Sequence, residues 1–346
     1  MAPLNEAVKV RRTRLEGAKT VVYEGVMDPT WNIGNVPCGG YSLALILEAC
    51  IQHQAKTEHI DPLHISAHFF KPTNSNLPFR IRVSTVKSGQ TITNLTADLL
   101  QADELRITSH AMFGSNVPSP SSSPQDNFIL QPPSPYARRI PIYSHPSQAT
   151  RQPMFEVWKD KDHVSWAWDE QTLAQNQPDH PKRKSVGKDS VGGGGTEWAA
   201  WYQFTAPTEK LSSAYIPFLA DMFVNTTHLI PEEEGGEPEA AAWSPTLTLA
   251  IDFKFPIRLL TPEWHARRTA GLYSAGRFIN YPQGRHDIYV EVWSAPSEIG
   301  EGAPPKEGWR EKQVCLAVAT QMALTLPVAV NLRNGKRKGQ GGESKL

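Results

Sequence analysis

A chain of 346 residues is long enough for two domains with sizeable cores, and its 35 Lys and Arg balance its 35 Asp and Glu. With no bulk field, nothing draws it to nucleic acid or an anionic membrane surface, and a small molecule is the expected partner. No run reaches the roughly 18 apolar residues of a membrane span, and residues 1–19 are polar and basic without the apolar core of a secretory signal, so the sequence reads as soluble and not secreted.

Residues 20–26 alternate as a first strand. Next comes Pro37-Cys38-Gly39-Gly40, a turn whose glycines permit close backbone approach, and an apolar run to Ile51 in which only Ser42 and Glu48 give a wet side. That run predicts a buried helix. Four alternating segments follow, residues 63–71, 79–87, 91–100 and 105–113, each separated by a short turn or loop. A core helix followed by an antiparallel meander long enough to wrap it is a hot-dog fold.

From 116 to 150 the composition shifts to Pro and Ser, which suits neither a central strand nor a helix and reads as a crossover between domains. Residues 154–158 and 164–168 predict two short aromatic strands. A soft loop, residues 176–195, carries Lys182-Arg183-Lys184 and four glycines, without the Gly-Lys-Ser/Thr ending of a phosphate loop. Residues 198–204 resume as a strand, and residues 217–223 predict a second core helix, with Pro217 in its first turn. Strand 246–255, a long hairpin, a surface excursion over 295–311 and a last strand over 314–324 complete the second half.

The expected architecture is therefore α+β, a double hot-dog with two antiparallel sheets each wrapped round a central helix. Its parts are an N-terminal domain (1–115), a linker (116–150), a C-terminal domain (151–330) and a flexible tail (331–346). Cys38, Cys50 and Cys315 lack the spacing of a zinc site or disulfide framework and read as reduced core residues.

No Gly-x-Ser-x-Gly elbow, His-Glu-x-x-His or paired Cys-x-x-Cys is present, and the eleven histidines are scattered, with His53, His59, His145 and His180 reading as surface or capping residues. Covalent, metal and cofactor routes thus have no motif behind them, which leaves chemistry by a positioned water.

Several short motifs agree in order and spacing. Trp31, Pro37-Cys38-Gly39-Gly40-Tyr41, His68-Phe69-Phe70-Lys71-Pro72, Lys87-Ser88-Gly89-Gln90-Thr91 and Leu100-Gln101 are joined in the second half by Leu219-Ala220-Asp221, Pro245-Thr246-Leu247-Thr248 and Ala319-Thr320-Gln321. Over residues 18–115 and 196–327 the chain resembles the acyl-CoA thioesterase II family of double hot-dog enzymes. The resemblance implies a water held by Asp221 on the second core helix, Thr246 on the following strand and Gln321 on the last. Asp221 would act as general base, and amides near Gly39 and Gly40 would receive the oxyanion. The family usually has an Asp or similar polar residue where Thr248 stands, and Thr248 shares a strand face with Thr246, so either threonine can contact the water. An acyl-CoA substrate and a homodimer are further implications. Lys182-Arg183-Lys184 and Arg267-Arg268 are candidates for the CoA phosphates.

Two other readings stand beside this one. A hot-dog hydratase or acyl transferase acting on acyl-CoA would want a His paired with a carboxylate before the core helix, where the sequence offers Asp28 and no His. A non-catalytic acyl-CoA carrier would keep the fold without the trio's activity. Finally, Ser344-Lys345-Leu346 reads as a peroxisomal address for the import receptor, held clear by the flexible basic run 334–342, and peroxisomal members of the family carry the same kind of address.

Overall fold

The computed structural model describes residues 2–16, 19–117, 129–176, 189, 191–192, 194–231, 236 and 242–335. Ser344, Lys345 and Leu346, the basic triplet 182–184 and most of the run 334–342 lie outside the described residues. Among the described residues no helix is long and apolar enough to cross a membrane.

The strands are β1 (Arg11–Glu16), β2 (Thr20–Val26), β3 (Asp61–Phe69), β4 (Pro78–Ser88), β5 (Thr93–Gln101) and β6 (Glu104–Gly114) in the first half. The second half supplies β7 (Val164–Trp168), β8 (Glu197–Phe204), β9 (Thr246–Phe253), β10 (Thr269–Ala275), β11 (Arg285–Ser294) and β12 (Cys315–Ala323). Three helices matter for the site: α1 (Gly39–Gln54), α2 (Ile216–Leu219) and α3 (Val328–Asn334).

Instead of two separate sheets, these twelve strands join in one antiparallel sheet in the order β1-β2-β4-β5-β6-β3-β9-β12-β11-β10-β8-β7. The halves meet where β3 pairs with β9, with Thr248 opposite His68 and Asp252 opposite His64. Pairing those two edges hides two rows of backbone donors and acceptors that would otherwise template aggregation. The His64 ring and Asp252 carboxylate lie 2.8 Å apart across this seam.

Helix α1 is apolar almost all round because it is buried almost all round: Tyr41, Leu43, Ala44, Leu45, Ile46 and Leu47 are fully enclosed. It packs on α2 and on β3, β4 and β5. A methyl group on Gly40 would overlap the Pro217 carbonyl oxygen and lie 2.6 Å from Asp221 Cβ, so the closeness of α1 to the α2 segment depends on glycine there.

The second core helix is shorter than residues 217–223. A 3-10 turn, Ser213–Tyr215, leads into α2, which stops at Leu219. Asn225 then caps a new turn, Thr226–Leu229, by accepting from the Thr227 N–H at 3.3 Å, and the residues between unwind. Asp221 consequently sits in the turn after α2 and not on a helix face.

Residues 154–158 form no strand. Their aromatic side chains turn inward, Phe155 and Trp158 packing edge-on or tilted against Trp166 at 5.0 and 5.1 Å between ring centres. Part of the Pro/Ser-rich stretch is well anchored: Ile140 and Ile142 are fully buried against Trp201 and Trp293. Asp169 accepts from the backbone N–H groups of Tyr143 and Ser144. The described start of the expected tail is likewise docked. Asn331, 1% exposed, accepts from the Asn35 N–H and donates to the Ile33 carbonyl, both at 2.9 Å, and so fastens α3 to the first half of the chain.

Candidate active site

The N-terminus of α1, the turn after α2 and the adjacent strands β9 and β12 converge on one carboxylate. Asp221 Oδ2 accepts from the Gly40 N–H at 2.7 Å and from the Cys38 thiol at 3.1 Å. Its other oxygen, Oδ1, accepts from the Thr246 hydroxyl at 3.3 Å and from Gln321 Nε2 at 2.5 Å. Gln321 Nε2 also donates to Thr246 Oγ1, at 2.6 Å. The amide nitrogen faces these two oxygens because both need a donor: the carboxylate can only accept, and the threonine proton points to Asp221.

Burial pushes the Asp221 carboxyl above the ordinary carboxylate range, against the opposing pull of its hydrogen bonds from Cys38, Gly40, Gln321 and Thr246. Asp221 is partly exposed and lines a cavity of about 210 Å³ together with Gly39, Thr246, Gln321 and apolar groups such as Ile33, Phe69, Trp243 and Leu326. A polar cluster at the wall of a largely apolar cavity suits a ligand with one polar group and a greasy remainder.

The structure thus brings Asp221, Thr246 and Gln321 together, and it separates the two threonines. Between Thr246 and Thr248 the β9–β12 register shifts by a bulge: Thr246 pairs with Ala323, Thr248 with Met322, and Leu247 is the extra residue. The bulge breaks the two-residue alternation on which a shared face depended. Thr246 and Leu247 line the cavity, and Thr248 is not among its lining residues.

The two glycines also differ. The Gly40 N–H is occupied by Asp221, whereas Gly39 is partly exposed at the cavity, where a methyl group would come within 3.2 Å of both Asp221 Oδ2 and Thr246 Oγ1. Arg267 and Arg268 do not line the cavity. Arg268 donates to the Phe204 and Thr205 carbonyls and lies 3.5 Å from Glu298. Lys71 does line it, ion-paired with Glu104.

One residue of the site, Cys38, and one buried carboxylate near it, Asp160, were missed in the sequence. Cys38 is 3% exposed, and burial first, then the Asp221 charge, hold its thiol well above the usual range, so it is a protonated donor. Its place directly before Gly39-Gly40 was the only signal. Asp160 is also 3% exposed, 3.4 Å from the Tyr202 hydroxyl, and burial raises its carboxyl to about 7. Nothing in its local sequence marks it. Among the described residues no group of three or more His, Cys, Asp or Glu side chains is placed to hold a metal ion.

Residues 27–114 match the model of the acyl-CoA thioesterase N-terminal domain. No curated protein matches the chain. Solved structures with a similar fold include a protein described as a thioesterase II from Thermobifida fusca (18% identity, TM-score 0.62, covering 93% of this chain and 97% of that one). A hot-dog protein of unknown function from Alicyclobacillus acidocaldarius is similar at 16% identity and TM-score 0.62, over 93% and 97% of the two chains. An acyl-CoA thioesterase II from Mycobacterium marinum follows at 12% identity and TM-score 0.56, over 94% and 98%. At these identities the structural likeness speaks to fold, while the domain match supports acyl-CoA thioesterase activity. Residues 27–114 thus match an acyl-CoA thioesterase N-terminal domain model, and the chain as a whole shares the fold of these hot-dog structures.

Proposed function

We propose that this protein hydrolyses acyl-CoA thioesters to a free acid and CoA, with water as the direct nucleophile. The observation that carries the reading is Gln321 Nε2 bridging Asp221 Oδ1 and Thr246 Oγ1 at 2.5 and 2.6 Å beside the cavity. Gln321 Oε1 is buried without a partner among the described residues. A water entering the cavity and donating a proton to Asp221, beside Thr246 and Gln321, would be held for deprotonation. Asp221 takes the proton as the water oxygen attacks the thioester carbonyl; the CoA thiolate leaves as the tetrahedral intermediate collapses to the acid, and the proton on Asp221 passes to the departing thiolate, restoring the carboxylate.

The oxyanion needs donors fixed before reaction. Gly40 cannot serve while its amide holds Asp221, so the role falls to the Gly39 N–H at the positive end of α1. Asp28 gives no support to a hydratase site, since its carboxylate accepts from the backbone N–H groups of Ala2 and Thr30. Thiol release from acyl-CoA, followed with a thiol-reactive dye, tests the proposal: Asp221→Ala and Gln321→Ala should each remove most turnover from a folded protein. Ligand binding without any thiol release would favour a carrier.

Peroxisomal delivery is part of the same proposal and rests on Ser344-Lys345-Leu346. A tagged protein lacking Leu346 should stay in the cytosol, and peroxisomal punctae would exclude this tripeptide as the address. Homodimerisation is proposed from the resemblance alone, and sedimentation of the purified protein tests it.

A further inference from the structure

We propose that Cys38 is a positioning residue of the hydrolytic site: its protonated thiol, fixed at the N-cap of α1, donates to Asp221 Oδ2 and turns Oδ1 toward Thr246 and Gln321. The inference rests on the hydrolase reading above and assigns a role to a side chain that chemistry by water alone would not require.

The geometry carries it. Cys38 occupies the N-cap without making a side-chain cap to its own helix, so the thiol is available to a neighbour. That neighbour is Asp221 Oδ2 at 3.1 Å, the oxygen that also takes the Gly40 N–H, while Met222 Sδ lies 4.0 Å away on the apolar side. Two donors, two residues apart at one helix start, fix one carboxylate oxygen. The second oxygen is then left to the groups from β9 and β12. A serine keeps a hydroxyl donor where the thiol stood, whereas alanine removes both the donor and the buried sulfur.

The titratable groups around this contact are few. Asp160 and Tyr202 face Cys38 from the β7–β8 side, Asp221 faces it from the α2 turn, and Lys71 and His228 line the same cavity. Burial and the Asp221 charge keep the thiol protonated, and that excludes a resting thiolate nucleophile. Removing the S–H takes a donor from the charged form of Asp221, so ionisation of the carboxyl should become harder and not easier.

The experiment compares kcat/KM against pH for the intact protein, Cys38→Ala, Cys38→Ser and Asp160→Asn, the last separating the titration of Asp160 from that of Asp221. In Cys38→Ala, kcat should fall roughly three- to ten-fold, the loss of one ordinary hydrogen bond, with KM little changed and the acidic limb moved to higher pH. Cys38→Ser should restore most of both. A Cys38→Ala profile superimposable on that of the intact protein would reduce Cys38 to packing. Loss of all turnover in both variants, with an acyl group trapped on Cys38 in the intact protein, would make it a nucleophile and overturn the proposal. If the alanine protein does not fold, the serine protein decides: its acidic limb must stay or move to lower pH, and a rise overturns the proposal. Absence of thiol release from the intact protein would instead defeat the hydrolase reading itself.

Discussion

The Gly40 amide N–H reaches Asp221 Oδ2 across 2.7 Å, tying the first turn of a helix to a turn 181 residues further along the chain. The site therefore belongs to neither half alone. A methyl group on Gly40 would strike both the Pro217 carbonyl and Asp221 Cβ, whereas one on Gly39 meets only the ends of two side chains at 3.2 Å. Gly40→Ala should cost about 1–3 kcal/mol of stability, as overpacking does, and most of the activity. Gly39→Ala should keep Tm close to that of the parent while lowering kcat. Thermal melts alongside thiol-release kinetics check the contrast.

Asp221→Asn separates catalysis from stability. The amide keeps the volume and an acceptor for Gly40 and Cys38, and Gln321 can turn its own carbonyl toward the new NH₂ group. With the base gone, kcat should fall by about 10²–10⁴. Because burial raises the Asp221 carboxyl above its ordinary value of 3.8, this group favours the fold most when protonated, and its contribution is lost as pH rises through the folded value. The asparagine protein should thus be the more stable one at pH 8, with the difference closing on acidification. In the parent, activity requires the ionised form, so its acidic limb should lie above the ordinary carboxylate range.

Thr246 and Thr248 should behave differently although two residues apart. Thr246→Ala removes the acceptor for Gln321 and a donor to Asp221, so kcat should drop by about ten- to a hundred-fold. Thr248→Ala should leave kcat near that of the parent, because the bulge keeps it from the cavity lining. Equal losses in the two variants would place the water elsewhere.

Asp160 gives the fold its own pH dependence. Its carboxyl is raised from 3.8 to about 7 by burial, so its favourable contribution is complete below 3.8 and is lost as pH rises toward and through 7. Melting temperatures of the parent should therefore decline between pH 5 and 8 by a component that Asp160→Asn abolishes.

The strands of the first half were legible because alternation is strong there: the segments read over 63–113 fall within two residues of β3 to β6. Their joining to β9 was not legible, since edge pairing is made by backbone groups that carry no side-chain signature. The second helix was overestimated because the apolar run through Phe223 gives no warning of the new cap at Asn225. A bulge at Leu247 cannot be read from Thr-Leu-Thr, which hid the distinction between the threonines. Cys38 looked inert because a lone buried cysteine usually is; only the structure shows which carboxylate lies beside it. Asn331, polar in a short helix, gave no sign that it would fasten α3 across the chain.

Direct attack by water is the central claim, and a single turnover in H₂¹⁸O with enzyme in excess over acyl-CoA tests it most directly. The account predicts that the free acid formed in that first turnover carries one ¹⁸O and that Asp221 carries none. Acid containing only ¹⁶O, with ¹⁸O appearing in the Asp221 carboxyl, would reveal an acyl anhydride on the protein and contradict it.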